Sequence, residues 1–131
     1  MYSFAYTCFL KNLECVGTFV CTLVGSYLFD HEILPNFPLG YHGRILAQSL
    51  VTLCLVLSAF NFTGGFYHPV IATVRTYGCR GFFRNLTSLD HFTVYWMGST
   101  LGALMAYYTY MALKNSYTNR ESIKKLQNLM A

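Results

Sequence analysis

The stretch that most restricts this chain is Asn61-Phe62-Thr63-Gly64-Gly65-Phe66-Tyr67-His68-Pro69-Val70-Ile71-Ala72. It ends a long apolar run, breaks at a glycine pair, and restarts through His68-Pro69 as a short apolar segment able to form helix. Gly64 and Gly65 open backbone conformations that other residues avoid. Pro69 suits the first turn of a helix, where its missing N–H costs nothing. The pattern predicts a descending loop followed by a helix over residues 69–77. A helix of about nine residues covers about 14 Å, half of a hydrocarbon core of about 30 Å. A half-crossing is tolerated only where its loose backbone faces protein or water.

The rest of the chain supplies a membrane setting. Hydrophobic residues make up 54% of the 131 and charged residues 11%, against about 25% charged in soluble domains. A soluble chain of this length would lack the polar surface to cover such a core. Three runs qualify as full spans: residues 12–29, 44–60 and 91–113. Eighteen residues at about 1.5 Å each approach the thickness of the core. In the first run Gly17, Cys21 and Gly25 form a ladder of small residues for helix contact. Its one charge, Glu14, either snorkels to the interface or turns inward to accept hydrogen bonds from non-helical backbone. Arg44 anchors one end of the second run. The third presents Gly98, Gly102 and Ala106 as a packing face. Tyr95 and Trp96 are expected in one interface belt, and Tyr107, Tyr108 and Tyr110 in the other.

The connecting segments are polar. Residues 30–43 hold two prolines, two glycines, Asp30, His31, Glu32 and His42, a loop in which the histidines are expected to be solvated. Residues 78–90 carry Arg80, Arg84 and an Asn85-Leu86-Thr87 glycosylation sequon. An N-terminal segment, 1–11, shows neither a basic n-region nor a cleavage site, so the first span is expected to direct insertion. The tail, 114–131, holds Lys114, Arg120, Lys124 and Lys125 and is expected to be disordered or a short surface helix. Three spans place the termini on opposite sides, and the basic tail assigns itself to the cytoplasm, against a weaker vote from Arg75, Arg80 and Arg84.

Several function classes lose support on the same grounds. The basic residues are too scattered for a nucleic-acid face. Five cysteines form no CxxC pair and no metal-ligand spacing with histidine, so neither a metal nor another cofactor is expected. No acid pair or nucleophile elbow accompanies the histidines, so an enzyme is not expected.

The order of span, loop, span, glycine-rich descent, half-helix, loop and span resembles the second repeat of an aquaporin. Glu14-Cys15-Val16-Gly17-Thr18-Phe19 is similar to the start of that family's fourth helix, whose Glu braces the re-entrant loop. Phe62-Thr63-Gly64 resembles the approach to the second pore box. His91-Phe92-Thr93-Val94-Tyr95-Trp96-Met97-Gly98, followed by Leu101-Gly102-Ala103, resembles the sixth helix and is the most specific match. The resemblance covers residues 12–113 and implies an all-α membrane protein of three transmembrane helices plus one re-entrant half-helix. His68-Pro69-Val70 would stand at the Asn-Pro-Ala box, and Val56, Gly65 and Ile71 at selectivity-filter positions. Ile71 replaces the Arg usual there. That loss, the changed box and Cys79 downstream resemble the unorthodox, subcellular super-aquaporin branch.

The resemblance implies a channel for water or small neutral solutes in a lipid bilayer, in an intracellular membrane of the endoplasmic reticulum type or the plasma membrane. One half-helix does not complete a two-box pore. The expectation is a channel fragment, or a half that needs a second repeat or another chain, with a homotetramer as the family habit. The alternative is a non-transporting truncated protein that associates with a full-length channel and modulates it.

Overall fold

The computed structural model describes residues 4–78 and 88–130, with side chains described for 6–75 and 89–130. All regular structure among these residues is helical, as expected. The elements are α1 (Phe4–Phe29), α2 (Gly40–Ala59), α3 (Pro69–Gly78), the single turn α4 (Ser88–His91), a π-helical turn (Phe92–Met97) and α5 (Gly98–Met130). Cys79, Arg80, Arg84 and the Asn85 sequon lie outside the described residues.

Among the described residues two helices are long and apolar enough to cross a membrane, Tyr6–Phe29 and Gly40–Ala59. Only 22% and 17% of the residues in their most apolar stretches are buried, so little of that surface is covered by protein. The third expected span, 91–113, is divided among α4, the π turn and α5. Helix bounds also differ from the expected ones. α1 begins at Phe4 instead of Asn12, because Phe4–Lys11 contains no Gly or Pro to stop it. The tail is neither disordered nor a separate surface helix. It continues α5 to Met130, with no Gly or Pro to stop it, and the Thr118 and Ser122 hydroxyls bond back to carbonyls four residues earlier.

Packing directions follow from named contacts. A Cβ on Gly98 would come within 2.9 Å of the Lys11 carbonyl, and one on Gly102 would overlap the Cys15 carbonyl. Farther along, Lys114 pairs with Asp30 at 3.1 Å. α1 and α5 therefore run parallel, in the most extensive pairing of the fold. Gly98, Ser99, Gly102 and Ala106 are buried at this seam, on the face their spacing predicts.

α2 runs antiparallel to α1. Gln48 donates to the Cys21 carbonyl at 3.1 Å, its amide lies 3.5 Å from where a Gly25 Cβ would stand, and Cys21 Sγ lies 3.6 Å from Thr52 Oγ1. Arg44, expected to anchor one end of the second run, is fully buried. Its guanidinium donates to the Leu28 carbonyl at 2.6 Å and to the Leu34 carbonyl, and stacks 5.9 Å from the Phe37 ring. A cation there complements the carbonyl end of α1 and ties down the loop that follows.

Candidate functional site

The segment between α2 and α3 is irregular, so its backbone groups need partners outside a helix. α2 stops at Ala59, whose carbonyl accepts from both Phe62 and Thr63 N–H at 3.0 Å. Gly64 and Gly65 then adopt φ values of 83° and 60°, in the left-handed region that favours glycine. Gly65 also lies so close to α2 that a Cβ would stand 2.9 Å from Val56 Cα and its carbonyl oxygen. The Thr63 hydroxyl accepts the Gly65 N–H at 3.2 Å, and the buried Tyr95 hydroxyl donates to the Thr63 carbonyl at 2.8 Å.

Tyr67 is the centre of the site. It holds φ at 49°, a left-handed conformation that costs a non-glycine residue about 1–2 kcal/mol. Four contacts fix it. Its N–H donates to Glu14 Oε2 at 2.8 Å, and its carbonyl accepts from the Thr18 hydroxyl at 3.3 Å. Its own hydroxyl donates to the Leu55 carbonyl at 2.7 Å. Its ring fills the space beside Gly17, where any Cβ would overlap it.

Of the two orientations open to Glu14, the structure holds the inward one. The side chain is fully buried, with the Thr63 hydroxyl and the Phe66 N–H also facing its carboxyl group. These donors offset part of the cost of taking a carboxyl group out of water.

α3 begins at Pro69, and Ala72 N–H bonds the His68 carbonyl at 3.1 Å to close its first turn. Ala72 is fully buried in a cluster with Leu10, Val94 and Tyr95, against which Phe66 packs. The opposite face is open. Val70, Ile71 and Val74 are 50%, 51% and 66% exposed, and His68 is exposed beside them. The structure thus joins Val56 to Gly65 and Glu14 to the loop, and leaves His68, Val70 and Ile71 on an uncovered face. Cys79 lies outside the described residues.

Sequence reasoning missed three features. Tyr67 in a left-handed conformation carries no sequence signal, since only Gly, Asn or Asp would advertise it. Gly17 reads as part of a helix-packing ladder, but its vacancy is filled by the Tyr67 ring. Tyr95 reads as an interface residue, yet it is fully buried because its hydroxyl finds a carbonyl inside.

The arrangement presents the N-terminus of a short helix, whose first N–H groups carry positive partial charge, at an exposed surface. Among the described residues, no group of His, Cys, Asp and Glu is placed to hold a metal ion. Compared with protein-family models, curated proteins and solved structures, the chain matches none.

Proposed function

We propose that this chain is one repeat of an aquaporin-like membrane channel that passes water or small neutral solutes passively. The observation that supports it best is the depth of the loop and α3. α2 delivers the chain near the start of α1, where the Phe62 and Phe9 rings lie 5.9 Å apart. The loop then climbs to Glu14 and Thr18, at the middle of α1. From there α3 returns, with Ala72 back beside Leu10 and Thr73 beside His91. Entry and return at the same end supports the reading of α3 as a re-entrant half-helix. In this reading α4, the π turn and α5 make the third crossing.

The chemistry follows from that path. A helix N-terminus at mid-membrane orients water by its N–H groups and raises the barrier to cations. His68 at the box offers a ring donor or acceptor to passing water. With Val56, Gly65 and Ile71 at the filter, the lining is wide and apolar, without the fixed cation of a tight filter. The exposed apolar face of α3 is then the contact for a second repeat, on this polypeptide or another. A non-transporting partner of a full-length channel would use the same exposed face.

Swelling assays on vesicles test the proposal. The chain, alone or with a companion repeat, is expected to raise osmotic water permeability, and His68→Ala to change the rate. Background permeability in every combination would sink the channel reading. If the chain stays silent but alters the flux of a co-expressed full-length channel, the modulator reading replaces it.

A further inference from the structure

A single hydroxyl connects α3 to α4 and the π turn. Thr73 Oγ1 donates to the Pro69 carbonyl at 2.9 Å, accepts the Trp96 indole N–H at 3.1 Å, and lies 3.2 Å from His91 Nε2. A hydroxyl has one proton and two acceptor lone pairs. Its proton is committed to Pro69 and one lone pair to Trp96. The remaining lone pair calls for a donor, so His91 presents Nε2 as N–H. All three hydrogen-bonding capacities of Thr73 are then filled, two of them from α4 and the π turn and one on the box proline.

The π turn makes this meeting geometrically available. His91 and Trp96 are five residues apart, which in an α-helix sets side chains about 140° apart around the axis. In a π-helical turn, residues five apart are bonded to each other and lie roughly one above the other. The π turn spans Phe92–Met97, between His91 and the start of α5. Neighbouring rings brace both donors: His91 tilts against Tyr95 at 5.0 Å, and Phe92 stacks on Trp96 at 6.4 Å.

We propose that Thr73 is a positioning residue for the pore box, and that the π turn sets His91 and Trp96 together on its hydroxyl to fix the rotation and depth of α3. The clamp itself stands on these contacts, and its consequence for transport rests on the channel reading above. Loss of the hydroxyl frees α3 to rotate, carrying Pro69, Val70 and Ile71 with it.

Trp96 is the chain's one tryptophan, so its indole reports on the clamp without interference. In the full chain labelled with ¹⁵N-tryptophan in micelles, the indole proton is expected at a hydrogen-bonded position. Thr73→Val, which keeps the shape and removes the hydroxyl, is expected to move it upfield, and Thr73→Ser to restore it. An indole resonance unmoved in Thr73→Val overturns the clamp. Should that variant not fold, the wild-type indole vibrational bands decide the matter, and bands of a free indole N–H overturn it. Vesicle swelling on the same variants separates the two claims. An indole shift with unchanged permeability overturns the positioning role in transport, whereas an unmoved indole overturns the clamp whatever the flux does.

Discussion

Two polar clusters on α1 solve different problems. At the middle of the helix, Glu14 is fully buried and faces backbone N–H groups that a broken chain has left without helical partners. Just beyond its end, Asp30 accepts from the Tyr110 hydroxyl and from Glu32 N–H at 2.8 Å, and pairs with Lys114, which also reaches Glu32 at 2.8 Å. The first cluster joins a side chain to a broken stretch of backbone, and the second joins two carboxylates to an ammonium, a hydroxyl and one N–H. Glu32 is largely exposed, so water competes for Lys114. In the middle of α1 water offers no alternative, and every lost partner strands a buried group. The inner cluster should therefore hold the loop in place, while the outer one only guides how α5 leaves the bundle.

The largest effect that would test this contrast comes from Glu14→Ala. It strands the Tyr67 N–H and its neighbours, at an expected cost of about 2–3 kcal/mol in thermal unfolding in micelles. Glu14→Gln keeps an acceptor oxygen and should cost less than half as much. If Glu14→Ala costs no more than removing Lys114, the contrast fails.

Gly17→Ala comes next. Its methyl group displaces the Tyr67 ring, at about 1–3 kcal/mol, and amide exchange across residues 61–68 should accelerate. Slow exchange as in the parent would mean that the ring finds another place. Tyr95→Phe removes one hydroxyl from the Thr63 carbonyl and should cost about 1 kcal/mol. A melting curve identical to the parent's would remove Tyr95 from the inner cluster.

The outer cluster should answer to pH and salt with the smallest changes. The Tyr110 hydroxyl, followed by Glu32 N–H and Lys114, holds the Asp30 carboxyl down to about 2. The folded state thus binds its proton more weakly than the unfolded chain does. The resulting stabilisation is complete above the ordinary carboxylate value of about 3.9. It fades as pH falls from there toward 2. Lys114 behaves oppositely, raised first by Glu32 and then by Asp30, so its contribution is lost only above the ordinary lysine range. In an NMR titration Tyr110→Phe should raise the Asp30 value more than Lys114→Met does. The reverse order would make the lysine the principal partner. Added salt should weaken this cluster and leave the inner one unchanged.

Much of the architecture follows from composition and spacing alone. Apolar runs with few charges dictate helices, the Gly64-Gly65 break and Pro69 locate the start of α3, and Gly98, Gly102 and Ala106 mark the α5 seam. These signals are local, because they depend on backbone freedom, side-chain size and a periodicity read over a few turns. Tertiary structure alone decided what each polar residue does. Glu14 could have faced lipid headgroups or the interior, and the need of the Tyr67 N–H for an acceptor selects the interior. Arg44 sits at the apolar end of a span in the sequence, yet the unpaired carbonyls of Leu28 and Leu34 draw it inside. Thr73 carries no pattern that ties it to His91 and Trp96, since their meeting on its hydroxyl depends on a π turn that no spacing announces. Hydrogen bonding across the fold is settled by which groups remain unpaired once the helices have packed, and that remainder is a property of the assembled structure.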